Sequence, residues 1–130
     1  MIKVDVYKEG NFAVSAKKIK DIIKSTLEEN GVVSDFEVDV AIVSEPKMDE
    51  LVKKYYQKDL DKKHSILTFP SNEMTDPFVS PPDSTNLLGN IVISYAQAVD
   101  EAKETERLVD DVVVALVKHG TLHLLGIHHN

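Results

Sequence analysis

Residues 119–130 read HGTLHLLGIHHN and hold four of the chain's five histidines. His119 and His123 are four positions apart, so on a helix their side chains lie on one face, one turn apart. This spacing lets two imidazole nitrogens bind one ion about 2 Å away. A single HxxxH pair is common on helix surfaces, so the residues around it decide whether it predicts a metal site.

The residues that follow the pair favour a metal site. Gly126 is placed to end the helix in a left-handed conformation and to turn the chain back. His128 and His129 come next, and one of them can supply a third nitrogen, although the spacing does not choose between them. Three protein nitrogens with an open position are typical of catalytic zinc, whereas structural zinc sites usually have four ligands. The alternative is a pair of surface histidines followed by a histidine-rich tail.

The segment that leads into the motif is apolar on nearly all sides. It predicts a helix that begins near Glu106 and is buried on most sides. The valines at 112–114 also suit a strand, but the length of the segment and the HxxxH spacing favour a helix. Gly120 follows the first histidine, where zincin proteases carry the glutamate that acts as general base. The motif therefore excludes that class of protease.

The rest of the chain alternates strand and helix patterns without internal repeats. Alternating apolar and polar residues predict strands at residues 2–7, 36–43, 64–69 and 88–94. The predicted helices run from the Ser15 N-cap to Glu29, from the Ser44 N-cap to about Tyr56, and from Tyr95 to a break near Glu104 or Thr105. Residues 70–86 contain four prolines and predict a long loop between the last two strands.

Composition limits the class of protein. A chain of 130 residues is long enough for one domain with its own core, and we expect residues 1–130 to form it. No apolar run approaches the roughly 20 residues that span a bilayer, and residues 1–10 lack the apolar core of a signal peptide. The lack of cysteine fits a reducing cytoplasm. A net charge of −7 argues against a broadly basic surface and leaves RNA binding to a local positive cluster.

Three segments resemble one family. HGTLHLLGIHH is similar to the HGxLHLxGYDH signature of the YbeY family, metal-dependent endoribonucleases that mature ribosomal RNA in bacteria; Ile127 and His128 depart from it. Residues 62–70, KKHSILTFP, resemble the family's KPTDVLSFP, and residues 87–94, LLGNIVIS, resemble its LGDIVIS. The order and spacing of the segments agree over nearly the whole chain.

The resemblance implies the ligands, the fold and the activity. It aligns His119, His123 and His129 with the ligands of one zinc ion per chain, which makes His128 a neighbour. Together with the element pattern, it implies a single α/β (α+β) domain: a four-stranded mixed sheet packed with helices, with the metal at the end of the last long helix. It implies a zinc-dependent, single-strand-specific endoribonuclease in 16S rRNA 3′-end maturation and ribosome quality control. Single-stranded RNA, ribosomal RNA and the small ribosomal subunit are the expected partners, in the cytoplasm and without a membrane.

Two positions depart from the family pattern. Tyr56 stands where the family has an arginine assigned to RNA phosphate, and Asn90 stands where it has an aspartate. We expect Lys62 and Lys63 to bind phosphates instead, as point charges without the bidentate fork of arginine. The departures keep two alternatives open: a catalytically impaired, metal-binding protein of the ribosome, and a metal-dependent hydrolase of a non-RNA substrate.

The other histidines and the chain end carry further expectations. His128 is either a proton shuttle or an exposed tail residue. His64, where the family has threonine, is expected at the surface or beside the site and not as a fourth ligand. The sequence ends one residue after His129, whereas the family continues into another helix. Because chain ends fray, we expect weaker metal binding than is usual in the family.

Overall fold

The computed structural model describes residues 2–32, 35–55, 64–70 and 87–126. Within them, the alternating and periodic segments form strands and helices close to the predicted ranges. In chain order these are β1 (Lys3–Lys8), α1 (Ala16–Glu29), β2 (Glu37–Val43), α2 (Glu45–Tyr55), β3 (Ile66–Pro70), β4 (Leu87–Ser94), α3 (Tyr95–Thr105) and α4 (Val109–Leu124).

The strands pair into one mixed sheet in the order β1-β2-β4-β3. β1, β2 and β4 are parallel to one another, and β3 is antiparallel to β4. α1 connects β1 to β2, because parallel neighbours need a crossover that returns the chain to the same end of the sheet. The predicted α/β class and the four-stranded mixed sheet packed with helices are confirmed.

Helices cover both faces of this sheet. α1, α3 and α4 pack on one face, where Val40 and Ile91 from the strands meet Val117 from α4 in the larger core. α2 packs on the other face, where Met48 lies in a smaller core with Val92. Burying one such side chain stabilises a fold by about 1.5–3 kcal/mol, so both faces contribute. All of β2 is buried, because it is a central strand covered on both sides.

Serine side chains cap the N-termini of α1 and α2, as the sequence predicted. Ser15 Oγ accepts a hydrogen bond from the Lys18 N–H at 3.2 Å and caps α1. Ser44 Oγ accepts one from the Lys47 N–H at 3.4 Å at the start of α2. Each serine thereby satisfies one of the N–H groups that have no partner within the first turn of a helix.

The last helix begins later than predicted and is buried as predicted. Glu106 adopts a left-handed conformation with φ of 53° and ends α3, so α4 begins at Val109 and not near Glu106. The prediction that this helix is buried on most sides is confirmed, since its residues are buried or half-buried apart from one strip along the helix. The exposed residues of that strip are Asp111, Ala115, Lys118 and His119.

Candidate metal centre

His119 and His123 lie side by side near the C-terminal end of α4. Their ring centroids are 4.2 Å apart, and the ring planes are inclined by 49°. Two nitrogens on one tetrahedral zinc ion, at about 2.0–2.1 Å from it, lie about 3.4 Å apart. Rings at this separation are therefore close enough to share one ion after small rotations. His119 is exposed and His123 is half-buried, so the pair is accessible from outside. The imidazole donors fit a transition metal such as zinc.

The end of α4 approaches the sheet closely through two glycines. A Cβ atom at Gly120 would lie 3.0 Å from Ile66 Cδ1 and 3.0 Å from Thr68 Cγ2, both on β3. A Cβ atom at Gly89 on β4 would lie 2.5 Å from Leu124 Cδ2 of α4. Since side chains at either position would push the helix outward, the two glycines fix its height above the sheet. They thereby position the histidine pair.

The helix ends where the motif predicted. Gly126 has φ of +83°, a left-handed conformation that favours glycine. Its N–H donates to the carbonyl of His123 at 2.9 Å and closes the last turn. The unpaired carbonyls of a helix C-terminus carry partial negative charge, which favours a cation there. The imidazole pair therefore lies at the end of α4 that is electrostatically suited to a metal ion.

Other residues of the predicted site lie outside the described residues. These are His129, the expected third ligand, and the two lysines Lys62 and Lys63. His128 and Tyr56 also lie outside them. The structure brings together two of the three predicted ligands, and the roles of the others stay predictions.

The chain's single arginine is far from the histidine pair. Arg107 is exposed in the connection before α4 and donates to the carbonyl of Asp111 at 3.3 Å. At a rise of about 1.5 Å per residue, it lies about 15 Å or more from His119 along the helix axis. Lys53 and Lys54 are exposed at the end of α2, directly before segment 56–63. Lysines, and not arginine, are the cations available there for phosphate.

Our sequence reasoning missed a second group of side chains, the acidic cluster of Asp5, Glu37 and Asp39. One carboxylate oxygen from each of the three residues lies within 4.8 Å of those of the other two. The sequence carried a signal for this cluster: Glu37 and Asp39 occupy alternate positions of one predicted strand, and Asp5 lies in another. In a sheet covered on one face only, these positions point to solvent. Here helices cover both faces, and Glu37 and Asp39 are buried.

The mixed sheet and the histidine pair on its last helix define a small α/β protein with a candidate metal centre. The family model described as endoribonuclease YbeY matches residues 6–130, and the chain belongs to this family.

Three relatives named endoribonuclease YbeY illustrate the similarity. One from Dehalococcoides mccartyi is 35% identical over 124 residues, which cover 90% of this chain and 76% of the relative. One from Acinetobacter baylyi is 32% identical and covers 95% of this chain and 75% of its own length. One from Shouchella clausii is 32% identical, and the match covers 99% of this chain and 83% of the relative. The fold also resembles the solution structure of a Thermotoga maritima protein, with a TM-score of 0.55, 26% identity, and coverage of 100% of this chain and 75% of that one.

The family assignment confirms the predicted enzyme class. Its members are named as endoribonucleases, hydrolases that cut phosphodiester bonds in RNA, and the family implies a role in ribosomal RNA maturation. In the part of the chain that the structure describes, no helix combines the length and the apolarity needed to cross a bilayer.

Proposed function

We propose that this protein is a zinc-dependent, single-strand-specific endoribonuclease that acts in 16S rRNA 3′-end maturation and ribosome quality control. It works in the cytoplasm on the small ribosomal subunit and binds one zinc ion per chain. The observation that supports this most is the pair of imidazoles at the end of α4, in a chain of an endoribonuclease family.

Each residue of the proposed site has one role. His119 and His123 hold the zinc ion together with His129. Zinc, when bound, supplies a Lewis acid for a phosphoryl oxygen and lowers the pKa of water towards neutrality. Lys62 and Lys63 bind RNA phosphates and position the backbone. The exposure of His119 leaves the histidine pair open to an RNA strand.

The proposal is tested with single-stranded RNA that carries the 3′ end of precursor 16S rRNA. We expect the zinc-loaded protein to cut this RNA and to leave the same RNA uncut when it is annealed to its complement. Protein stripped of metal by a chelator should cut neither. Equal rates on the single strand and the duplex would contradict the proposed strand specificity.

A second candidate is a metal-binding protein of the ribosome without nuclease activity. Two observations favour it. Tyr56 stands where the family has an arginine, and the chain's single arginine, Arg107, lies too far from the histidine pair to replace it. This candidate predicts the same zinc content and the same binding to the small subunit. It differs in predicting no metal-dependent cleavage of any single-stranded RNA.

Removing two lysines should weaken RNA binding without changing base preference. We expect Lys62→Ala with Lys63→Ala to lower affinity for all single-stranded sequences and to flatten the salt dependence of binding, because each neutralised phosphate releases counterions. Base preference should persist, since phosphate contacts carry no sequence information. Binding is measured at several salt concentrations. Lys20→Ala with Lys24→Ala, which removes two exposed lysines of α1, is the charge-matched control, and an equal loss in that control would refute the assignment.

The two histidines near the chain end should differ in their effect on metal binding. We expect His129→Ala to lower zinc affinity by more than about 100-fold, because it removes a ligand. His128→Ala should cost at most about 10–100-fold, the range for groups that only support a ligand. Competition with a coloured chelator measures both. A greater loss from His128→Ala would show that the third ligand is misassigned.

A further inference from the structure

A row of polar side chains crosses the sheet on the face opposite α4. In the register of the strands, Asp5 on β1 lies beside Asp39 on β2, and Asp39 lies beside Asn90 on β4. Glu37 is two positions before Asp39, so its side chain points to the same face. The neighbours of Asn90 in sequence, among them Gly89, face α4, so Asn90 faces away from it. The acidic cluster and Asn90 are thus separated from the histidine pair by the sheet.

The acidic cluster concentrates negative charge in a buried place. Asp39 is 1% exposed and Glu37 is 6% exposed. Lys3 Nζ lies 3.8 Å from Asp5 Oδ2, but the Lys3 side chain is 64% exposed and its charge is screened by water. Burial raises the pKa of the Glu37 carboxyl, and the hydrogen bond with Asp39 and the charges of Asp39 and Asp5 raise it further; Lys3 lowers it. The cluster therefore requires additional positive charge, from a proton or from a cation.

Two buried oxygens point to a cation. Asn90 Oδ1 has no hydrogen-bond partner among the described residues, although Asn90 is 1% exposed. Glu37 Oε2 likewise has none within the described ranges. An unsatisfied buried acceptor destabilises a fold, so each such group requires an explanation. A proton shared between Glu37 and Asp39 leaves the Asn90 oxygen unexplained, because an amide oxygen beside a carboxylate needs a donor or a metal.

We propose that the acidic cluster and the Asn90 amide oxygen together bind one hard divalent cation of the Mg²⁺ and Ca²⁺ class. Carboxylate and amide oxygens are the ligands that these ions prefer, whereas zinc prefers nitrogen and sulfur donors. Two oxygens bound to one Ca²⁺ ion, each about 2.3–2.6 Å from it, lie at most about 5 Å apart. One carboxylate oxygen from each acidic residue meets this limit, since the three oxygens lie within 4.8 Å of one another. The site is independent of the histidine pair and joins three strands of the sheet.

Cation binding is tested on protein in which both His119 and His123 are replaced by alanine, so that the histidine pair does not contribute. After treatment with a chelator, Mg²⁺ and Ca²⁺ are titrated separately by calorimetry. Thermal unfolding is followed with the divalent chloride and with NaCl at equal ionic strength. We expect one ion per chain for at least one of the two cations. At a concentration about 100-fold above the dissociation constant, the unfolding temperature should rise by on the order of 10 °C.

Variants of the cluster should remove this response. Asp39→Asn keeps the shape of the side chain and removes a charged ligand, so the rise in unfolding temperature should be lost. Asp100→Asn, the same change at an exposed position on α3, should keep the full rise. Glu37→Gln provides a second variant if Asp39→Asn does not fold. A rise that persists unchanged in the folded cluster variants would overturn the proposal.

The pH dependence separates a bound cation from a shared proton. Glu37 faces Asp39 on its own strand and Asp5 and Lys3 on β1, and β4 contributes the uncharged Asn90. Because its pKa is raised in the folded state, Glu37 contributes stability that is present below its unfolded pKa and is lost as the pH rises through the folded pKa.

Without divalent cations, Glu37→Gln should therefore gain stability relative to the wild type as the pH rises. With saturating Mg²⁺ or Ca²⁺ the order should reverse, because the wild type then holds the ion. No binding by calorimetry and no cation-dependent change in the unfolding temperature would leave the shared proton as the explanation and refute the site.

Discussion

Replacing both His119 and His123 by alanine is expected to remove the bound zinc and to lower metal-dependent cleavage of single-stranded RNA by more than about 100-fold. The expectation follows from the position of the two rings, 4.2 Å apart at the end of α4. Loss of groups that only support a ligand already costs about 10–100-fold, so loss of two ligands should exceed that range. Elemental analysis of untagged protein measures the metal, and gel analysis of labelled RNA measures cleavage.

The control for this variant is Lys118→Ala, which changes an exposed residue next to the motif on the same helix. It should keep one zinc ion per chain and the wild-type rate. RNA binding through the lysines should survive in the histidine variant, because the phosphate contacts do not involve the metal ligands. Stoichiometric zinc in the histidine variant would exclude the pair as ligands.

Gly89→Ala is expected to give the largest loss of stability among glycine-to-alanine substitutions at the positions in van der Waals contact with other residues. Its Cβ atom would lie 2.5 Å from Leu124 Cδ2, 2.6 Å from the Phe69 carbonyl oxygen and 3.2 Å from Pro70 Cα. Two of these atoms belong to the backbone of β3 and have no rotamer to change. Overpacking of this kind costs about 1–3 kcal/mol, which lowers the unfolding temperature by roughly 5–15 °C for a chain of this size. Calorimetry measures the effect.

A second effect of Gly89→Ala should appear at the histidine pair. Pushing Leu124 away from the sheet displaces the last turn of α4, so zinc affinity should fall together with stability. Gly10→Ala is the matched control, since its Cβ atom would meet only the Phe12 ring, with Cζ nearest at 3.4 Å, an ordinary contact. It should change neither property appreciably. If Gly89→Ala leaves both unchanged, the close approach between α4 and β4 does not position the metal site.

Much of the fold was predictable because the helix caps and the apolar periodicity of the sequence coincide with the faces that are buried in the structure. The Ser15 cap and the alternation along β2 predicted element positions to within one or two residues. The histidine spacing predicted that the two rings lie close together, because residues four apart on a helix lie on one face, one turn apart. Gly126 predicted the end of α4 for a similar reason, since few residues adopt a positive φ at low cost.

The failures have equally specific causes. The end of α3 was predicted near Glu104 or Thr105, but Glu106 adopts a left-handed conformation without being glycine, so the sequence carried no sign that α4 would begin only at Val109. The acidic cluster depends on which strands are neighbours, and one sequence does not specify that β2 lies between β1 and β4. The close contact at Gly89 similarly depends on the crossing of α4 over β4. Both features depend on tertiary packing, which the pattern of a single sequence does not reveal.

Zinc titration of the metal-free protein tests the central claim most directly. Protein stripped by a chelator is supplied with increasing zinc at constant Mg²⁺, and cleavage of the single-stranded 16S precursor RNA is followed at each step. We predict no cleavage at the start, a rise in proportion to added zinc, and saturation at one zinc ion per chain. Cleavage that is already complete before zinc is added, or one tightly bound zinc ion without any cleavage, would contradict a zinc-dependent endoribonuclease.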